Sequence, residues 1–282
     1  MVNMSDLLRE WSESAKAWRE HSATIRTMFA PLTTALIEAA HISAGQSVLD
    51  VAGGPGEPSL TIAQVVGPGG SVTYTDAVAE MVATAEDEAQ RRGLTNVRFQ
   101  QCVAESLSFA DDSFDAAVSR LGVMLFADPP AALREMLRVT KPGGALAFVV
   151  WGKTDRNPFT SVVTNVISRY VDVPAEDPDA PGAFRFAEPG KLARLLTEAG
   201  ATNVQERELN FQMAAPISVE QFWQMRSATS GTLREKLATL SPEKAQQAGL
   251  EVQEAAREFF PNNRMSFPAQ MRVVSAHKIP PA

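Results

Sequence analysis

The sequence predicts an α/β fold: a doubly wound, mostly parallel sheet of seven strands with a helical cap. Three observations lead there. Short apolar runs at 47–52, 71–75, 97–102, 116–119 and 145–151 alternate with helical periodicity at 59–66, 78–92 and 131–139. That alternation is the mark of βαβ units with helices on both faces of a sheet. Two further strand-like runs, 204–211 and 270–276, bring the strands to seven, and helical stretches outside the alternation supply the cap.

Residues 1–44 read as an N-terminal helical cap over the site. Trp11, Ala15, Trp18, Ile25, Met28 and Phe29 recur at intervals suited to a helix face, and Pro31 is expected to break or restart that helix. Residues 45–151 form the ligand-binding core. Right-handed crossovers place its strand C-termini along one edge, where open α/β sheets bind ligands. Lys141-Pro142-Gly143-Gly144 reads as a type II turn joining helix to strand. Residues 152–282 supply the remaining strands plus a helical substrate-cap insertion. Asn157 caps a helix with Pro158 in its first turn, and a Pro/Asp-rich loop follows at 173–182. A helix over 188–199 stops at Gly200. Residues 204–211 alternate like a strand. Helices over 218–228 and 241–260 open on Ser with Pro or Gln signals, and 270–276 reads as an added edge strand.

Composition narrows the function classes. The 282 residues are 45% hydrophobic and 21% charged, an ordinary globular balance. No apolar run approaches the ~20 residues of a membrane span, and residues 1–10 lack the basic start and apolar stretch of a secretory signal. Cys102 is the single cysteine, so neither an internal disulfide nor a cysteine metal cluster is expected, and the expected location is cytoplasmic. A net charge of −7 argues against a nucleic-acid surface. The expected partner is a small molecule, with no nucleic acid, no membrane and no metal, and with the chain a monomer or homodimer.

The most informative stretch is Val48-Leu49-Asp50-Val51-Ala52-Gly53-Gly54-Pro55-Gly56-Glu57-Pro58-Ser59. A buried strand ends in three glycines, which accept positive φ and let a ligand approach the backbone. A helix then starts near Pro58 and offers unpaired N–H groups. A dinucleotide turn wants G-x-G-x-x-G/A, which the run from Gly54 to Ser59 nearly fits. Asp50 weighs against that reading, because a carboxylate at the strand end repels a pyrophosphate and attracts a cationic amino-acid ligand. S-adenosylmethionine, with its ammonium and sulfonium, suits Asp50 better than NAD does. Asp76 ends the next strand. It is placed either to accept both hydroxyls of a ribose or to cap the following helix.

These residues, with three other blocks, resemble the class I S-adenosylmethionine-dependent methyltransferases, in the quinone-biosynthesis (type 11) branch. The blocks are residues 48–56, 72–81, 104–115 and 138–144. The likeness is specific over 45–151, looser over 184–205 and weak over 206–262. It implies a Rossmann-like sheet, S-adenosylmethionine as cofactor and S-adenosylhomocysteine as product. The cofactor set it implies is Asp50, Ala52, Gly54, Gly56, Asp76, Ala77, Met81, Ala104, Glu105 and Ser119. By resemblance, Asp50 and Gly54 lie near the methionine end and Gly56 closes the turn. Asp76 holds the ribose, Met81 packs on the adenine, and Ala104 and Glu105 border the adenine edge. Ser119 offers a backbone oxygen to the methionine amino group. Val103 stands where the family often has an acid, so Glu105, a backbone carbonyl or apolar contacts must serve the adenine instead.

Methyl transfer from a sulfonium is an in-line displacement on an activated electrophile. The protein chiefly aligns two substrates, which can supply ~7–11 kcal/mol, and a base is needed only where the acceptor has a proton to lose. The expected acceptor is small and hydrophobic or aromatic, methylated at O, C or N, and no catalytic residue is singled out. Candidate acceptor residues are Trp18, His21, Arg120, Met124 and Trp223. His21 is either an acid–base group or an exposed helical histidine. The segment 120–126 either lines a pocket or is core, and Trp11, Trp18, Phe222 and Trp223 either form a lid or simply pack. Two other readings stand beside this one. An NAD(P)-dependent oxidoreductase is opposed by the lack of a Lys four residues after Tyr74 or Tyr170. A non-catalytic S-adenosylmethionine-binding protein would explain the missing base.

Overall fold

The computed structural model describes residues 4–172 and 177–280, with side chains from residue 8 onward; the first part of the Pro/Asp-rich loop, 173–176, lies outside the described residues. Apolar runs with turn residues at both ends form the seven strands: β1 (Ser47–Val51), β2 (Ser71–Asp76), β3 (Val97–Gln101), β4 (Phe114–Arg120), β5 (Thr140–Trp151), β6 (Thr202–Ala215) and β7 (Met265–His277). Their order in the sheet is β3-β2-β1-β4-β5-β7-β6. Pairing is parallel from β3 through β5, and β7 runs antiparallel to both neighbours. The chain leaves β1 for β2 on one side and later returns to β4 on the other. The β1/β4 crevice is therefore the switch point, where open α/β sheets place ligands.

The helices are α1 (Met4–Glu20), α2 (Ser22–Ala39), α3 (Ser59–Val66), α4 (Ala79–Arg91), α5 (Pro129–Val139), α6 (Pro158–Ile167), α7 (Lys191–Glu198), α8 (Val219–Thr229), α9 (Gly231–Ala238) and α10 (Pro242–Ala256). The last three lie between β6 and β7 in sequence. Ser218 and Gln221 form a reciprocal capping box at the start of α8, and Ser230 and Ser241 accept a backbone N–H at the starts of α9 and α10. None of the described helices is long and apolar enough to cross a membrane.

Several expectations need correction. Pro31 does not interrupt the helix; it sits inside α2, and the chain breaks at His21, the residue joining α1 to α2. A proline ring removes one backbone bond. The buried face of Ile25, Met28, Phe29, Leu32 and Leu36, which packs on the sheet, outweighs that loss. Nor is β7 an added edge. It lies between β5 and β6, with Val273, Val274 and Ala276 at most 2% exposed, as a strand covered on both faces must be. The edge is β6, whose first residues alternate between half-buried and exposed. Lys141-Pro142-Gly143-Gly144 is not a separate turn but an irregularity inside β5. The register shifts there, Gly143 takes φ +77°, and its N–H donates to Lys278 O at 3.0 Å. Asn157 occupies the cap position of α6 without a side-chain cap bond. Its amide instead donates to Lys153 O and Gln270 O and accepts from Gln270 N, stitching α6 to β7. Helix α9 had no counterpart in the sequence reading.

Candidate functional site

Four loops leave the C-terminal ends of β1, β2, β3 and β4 and wall a cavity of about 150 Å³. The β1 loop supplies Ala52, Gly53, Gly54, Pro55 and Glu57, and the β2 loop supplies Asp76, Ala77 and Val78. The β3 loop brings Cys102 to Glu105, and the β4 loop brings Arg120, Leu121, Gly122, Leu125 and Phe126. Helix α1 closes the remaining side with Leu8, Trp11 and Trp18.

The glycine loop is held open by packing below it. A Cβ on Gly53 would stand 2.5 Å from the Tyr74 ring and 2.8 Å from the Asp50 carboxylate, so no side chain fits there. Gly54 has φ +55° and free space where a Cβ would point. The Tyr74 hydroxyl donates to Gly54 O at 2.6 Å, and the Asp76 carboxylate accepts from Gly54 N at 2.9 Å. Gly56 closes the turn by donating to Gly53 O at 3.2 Å, but it does not reach the cavity wall. Ala52 and Leu121, which follow β1 and β4, take φ +60° and +62°. Left-handed backbone at non-glycine residues costs on the order of 1–3 kcal/mol and gathers at functional sites.

Asp76 lies on the cavity wall and is 8% exposed. It is not a helix cap: Val78 holds that position ahead of α4, and Asp76 accepts from Val78 N within the turn at 2.9 Å. Burial raises its carboxyl above the usual range, against backbone N–H groups of Val78, Gly54 and Ala77 that favour the charge. Asp50 departs from expectation. It is fully buried beneath the loop rather than on the wall, and accepts from Ser59 Oγ at 2.6 Å and Ser59 N at 3.2 Å at the start of α3. Burial pushes its carboxyl up to about 7, against the Ser59 hydroxyl, the Arg120 charge and the Ser59 N–H.

Ala77, Met81, Ala104 and Glu105 all line the cavity. Met81 packs in a cluster with Ala15 and Val78, against Leu8, Trp11 and Trp18. Val103 is on the wall beside them, while Glu105 accepts from Asp128 N at 3.1 Å. Ser119 is completely buried behind the wall. Asp50 Oδ1, Ser119 Oγ and Arg120 Nε are buried without a hydrogen-bond partner, and all three stand on β1 or β4 at the base of the cavity. Buried polar atoms are normally satisfied, so a cluster of orphans calls for a polar guest or water.

The acceptor candidates divide. Trp18 and Arg120 reach the cavity; His21, Met124 and Trp223 do not. His21 is spent at the junction of α1 and α2. Met124 is buried under its own loop, and Trp223 packs against Gly249 of α10. The Arg120 guanidinium donates to Thr33 Oγ1 at 2.8 Å and Glu57 O at 3.0 Å. Burial lowers its affinity for the proton, opposed by Glu57 and Asp50. The Glu57 carboxylate is itself paired with Arg92 at 2.7 Å. Leu8, Phe29, Val78 and Cys102 were not foreseen as wall residues; a rule that every loop after a parallel strand faces the site would have found the last two.

Helix α1 spans the mouth. Arg19 pairs with Asp87 of α4 at 3.0 Å on one side. On the other, Trp18 Nε1 donates to Thr229 O at the end of α8, and the Glu10 carboxylate accepts from Thr232 N of α9.

A switch-point cavity under a glycine loop, with carboxylates on its wall, defines a nucleoside-cofactor α/β enzyme class. A family model then specifies it: residues 32–217 match the ubiE/COQ5 methyltransferase family. The chain belongs to that family, and its fold and family are those of S-adenosylmethionine-dependent methyltransferases, which disfavours the oxidoreductase reading. It is 38% identical over 132 residues to the uncharacterized protein Rv1405c of Mycobacterium tuberculosis, covering 47% of each chain. It is 40% identical over 118 residues to the ubiquinone/menaquinone biosynthesis C-methyltransferase UbiE of Cellvibrio japonicus, covering 42% of this chain and 47% of that one. The match thus spans about half the length of these curated relatives. Among solved structures, the [4+2]-cyclase SpnF superposes with a TM-score of 0.58 at 20% identity over 96% of both chains. That likeness speaks for the fold alone.

Proposed function

We propose that the protein transfers a methyl group from S-adenosylmethionine to a small, hydrophobic or aromatic acceptor, chiefly by holding the two in line. One observation carries this: Asp76 and Glu105 put carboxylates on the wall beside a glycine loop, and Asp50 lies beneath it. Such surroundings favour a cationic amino-acid nucleoside over a diphosphate. The electrostatic support therefore comes from wall residues more than from the hidden Asp50.

When bound, S-adenosylmethionine supplies a methyl carbon on a positively charged sulfur. The remaining work falls to the chain. In this reading Asp76 accepts the ribose hydroxyls, and Met81, Val103 and Ala104 sandwich the base. The backbone from Ala52 to Pro55 leaves room for the amino-acid end. Trp11 and Trp18 of α1, with rings 5.7 Å apart, exclude water. No histidine lines the cavity among the described residues, so positioning rather than acid–base chemistry supplies most of the acceleration. The UbiE relatives, named as quinone-pathway C-methyltransferases, support a flat acceptor. Titration calorimetry should show S-adenosylmethionine and S-adenosylhomocysteine binding, with NADH inert. The reverse result overturns the proposal.

A further inference from the structure

Arg120 closes β4 and is the only lysine, arginine or histidine side chain on the cavity wall among the described residues. It is 9% exposed. Its two hydrogen bonds go to neutral oxygens, Thr33 Oγ1 and Glu57 O, and its Nε is buried without a partner. The nearby acids are engaged elsewhere: the Glu57 carboxylate binds Arg92, and Asp50 binds Ser59. Both favour the charge on Arg120 without bonding it, against the effect of burial. Holding a guanidinium so deeply with no bonded counter-ion is costly. The Phe29 ring, 5.8 Å from the guanidinium carbon, offsets only part of that cost.

The sheet sets where that cation stands. Thr75 is in register with Val51, and Val118 with Asp50. Asp76, one residue beyond Thr75, and Arg120, two beyond Val118, therefore come level with Ala52, one on either side of β1. Neighbouring strands lie ~4.8 Å apart, so the two backbones are separated by roughly 10 Å. Between them runs the loop 52–55, with Ala52 and Gly54 at φ +60° and +55°. An anion on the β2 side and a cation on the β4 side thus flank the loop. S-adenosylmethionine has the matching polarity. Its ribose hydroxyls need an acceptor at one end of a short sulfonium chain, and its α-carboxylate needs a donor at the other. Asp76 and Glu105, the acids elsewhere on the wall, would repel that carboxylate.

We propose that Arg120 is a cofactor residue rather than an acceptor residue: its guanidinium holds the α-carboxylate of S-adenosylmethionine while Asp76 holds the ribose, and the pair fixes the direction in which the cofactor lies across β1. Guanidinium N–H donors suit a carboxylate, and Nε is a donor still free. The bonds to Thr33 Oγ1 and Glu57 O set the guanidinium in place beforehand, so little side-chain freedom is lost on binding. The inference rests on the methyltransferase reading, which supplies the cofactor, and it moves the one cationic wall residue from the acceptor to that cofactor.

The test titrates the full chain with S-adenosylhomocysteine and with decarboxylated S-adenosylhomocysteine, which keeps the nucleoside, thioether and ammonium and lacks only the carboxylate. The parent protein should bind the first about 10- to 100-fold more tightly, as a charged hydrogen-bonded pair does. Arg120→Met should remove that preference by weakening S-adenosylhomocysteine alone, and Arg120→Lys should keep part of it. Both variants should bind the decarboxylated ligand at least as tightly as the parent does, which also reports that they fold. Variants that weaken both ligands by the same factor make Arg120 merely structural and overturn the proposal. A preference that survives Arg120→Met overturns it too, and so does equal affinity for the two ligands in the parent, whatever the variants do. Equal affinity leaves the methyltransferase reading standing, whereas failure of the parent to bind either ligand takes down that reading and this inference with it.

Discussion

Replacing Asp50 with Asn should make the protein more stable at pH 8 and barely change it at pH 4, while weakening the cofactor. An unfolded aspartate ionises near its model value of 3.8, whereas burial holds folded Asp50 protonated up to about 7. Between those values the unfolded chain sheds its proton first, so the wild-type protein loses stability as pH rises from about 4 to about 7 and levels off above. The difference of about 3 pKa units corresponds to about 4 kcal/mol at most, or on the order of 10 °C in Tm for a chain of this size. An amide at position 50 can still accept from Ser59 Oγ and N, now at 2.6 and 3.2 Å, and it has no proton to lose. Melting curves of both proteins from pH 4.5 to 8 read the effect directly, with the variant gaining on the wild type as pH rises. A bound sulfonium and ammonium would favour the ionised acid. S-adenosylmethionine should therefore release a proton on binding near pH 6, visible by calorimetry in buffers of different ionisation enthalpy. A gap in Tm that stays constant with pH would refute the account of Asp50 as a buried acid kept neutral by its surroundings.

Two further outcomes follow from the same geometry. Asp76→Ala should lower S-adenosylmethionine affinity by roughly 1.5–3 kcal/mol, the worth of a charged hydrogen-bonding group; unchanged affinity by calorimetry would return Asp76 to a purely structural part, as the acceptor for Gly54 N and Val78 N. Trp18→Phe removes the bond to Thr229 O and should speed amide hydrogen exchange across α1 about fivefold, the equivalent of ~1 kcal/mol, and unchanged protection would mean that this bond does not latch the helix.

Local patterns carried the core of the fold into the sequence, and long-range packing withheld the rest. β1, its glycine loop and α3 were readable because strand, turn and helix start each leave a mark within a dozen residues. Position on the wall was readable for Asp76, Ala77, Met81, Ala104 and Glu105, since each follows a parallel strand at a predictable offset. The same reasoning misplaced Asp50. Strand residues alternate between faces, but nothing local says that the acid turns under the loop toward Ser59. It also misplaced β7, because a run near the end of the chain looks like an edge until the antiparallel insertion between β5 and β6 is known. His21, Met124 and Trp223 were expected from the helix or loop that carries them, and the element alone does not tell which of its sides meets the cavity. The left-handed backbone of Ala52 and Leu121 had no signature, as neither is a residue that such geometry favours.

This division between what was legible and what was not follows the division of labour in the molecule. The cofactor half is built by loops of consecutive strands and is therefore written as motifs. The remaining side of the cavity is closed by α1 and α2, whose contributions, Leu8, Trp11, Trp18 and Phe29, follow no strand and carry no motif. A [4+2]-cyclase shares the fold across 96% of both chains, and fold alone does not select a reaction. The residues that discriminate one such protein from another are thus expected where family likeness fades. In this chain the family match covers residues 32–217, and Leu8, Trp11 and Trp18 of α1, which close the cavity, lie outside it.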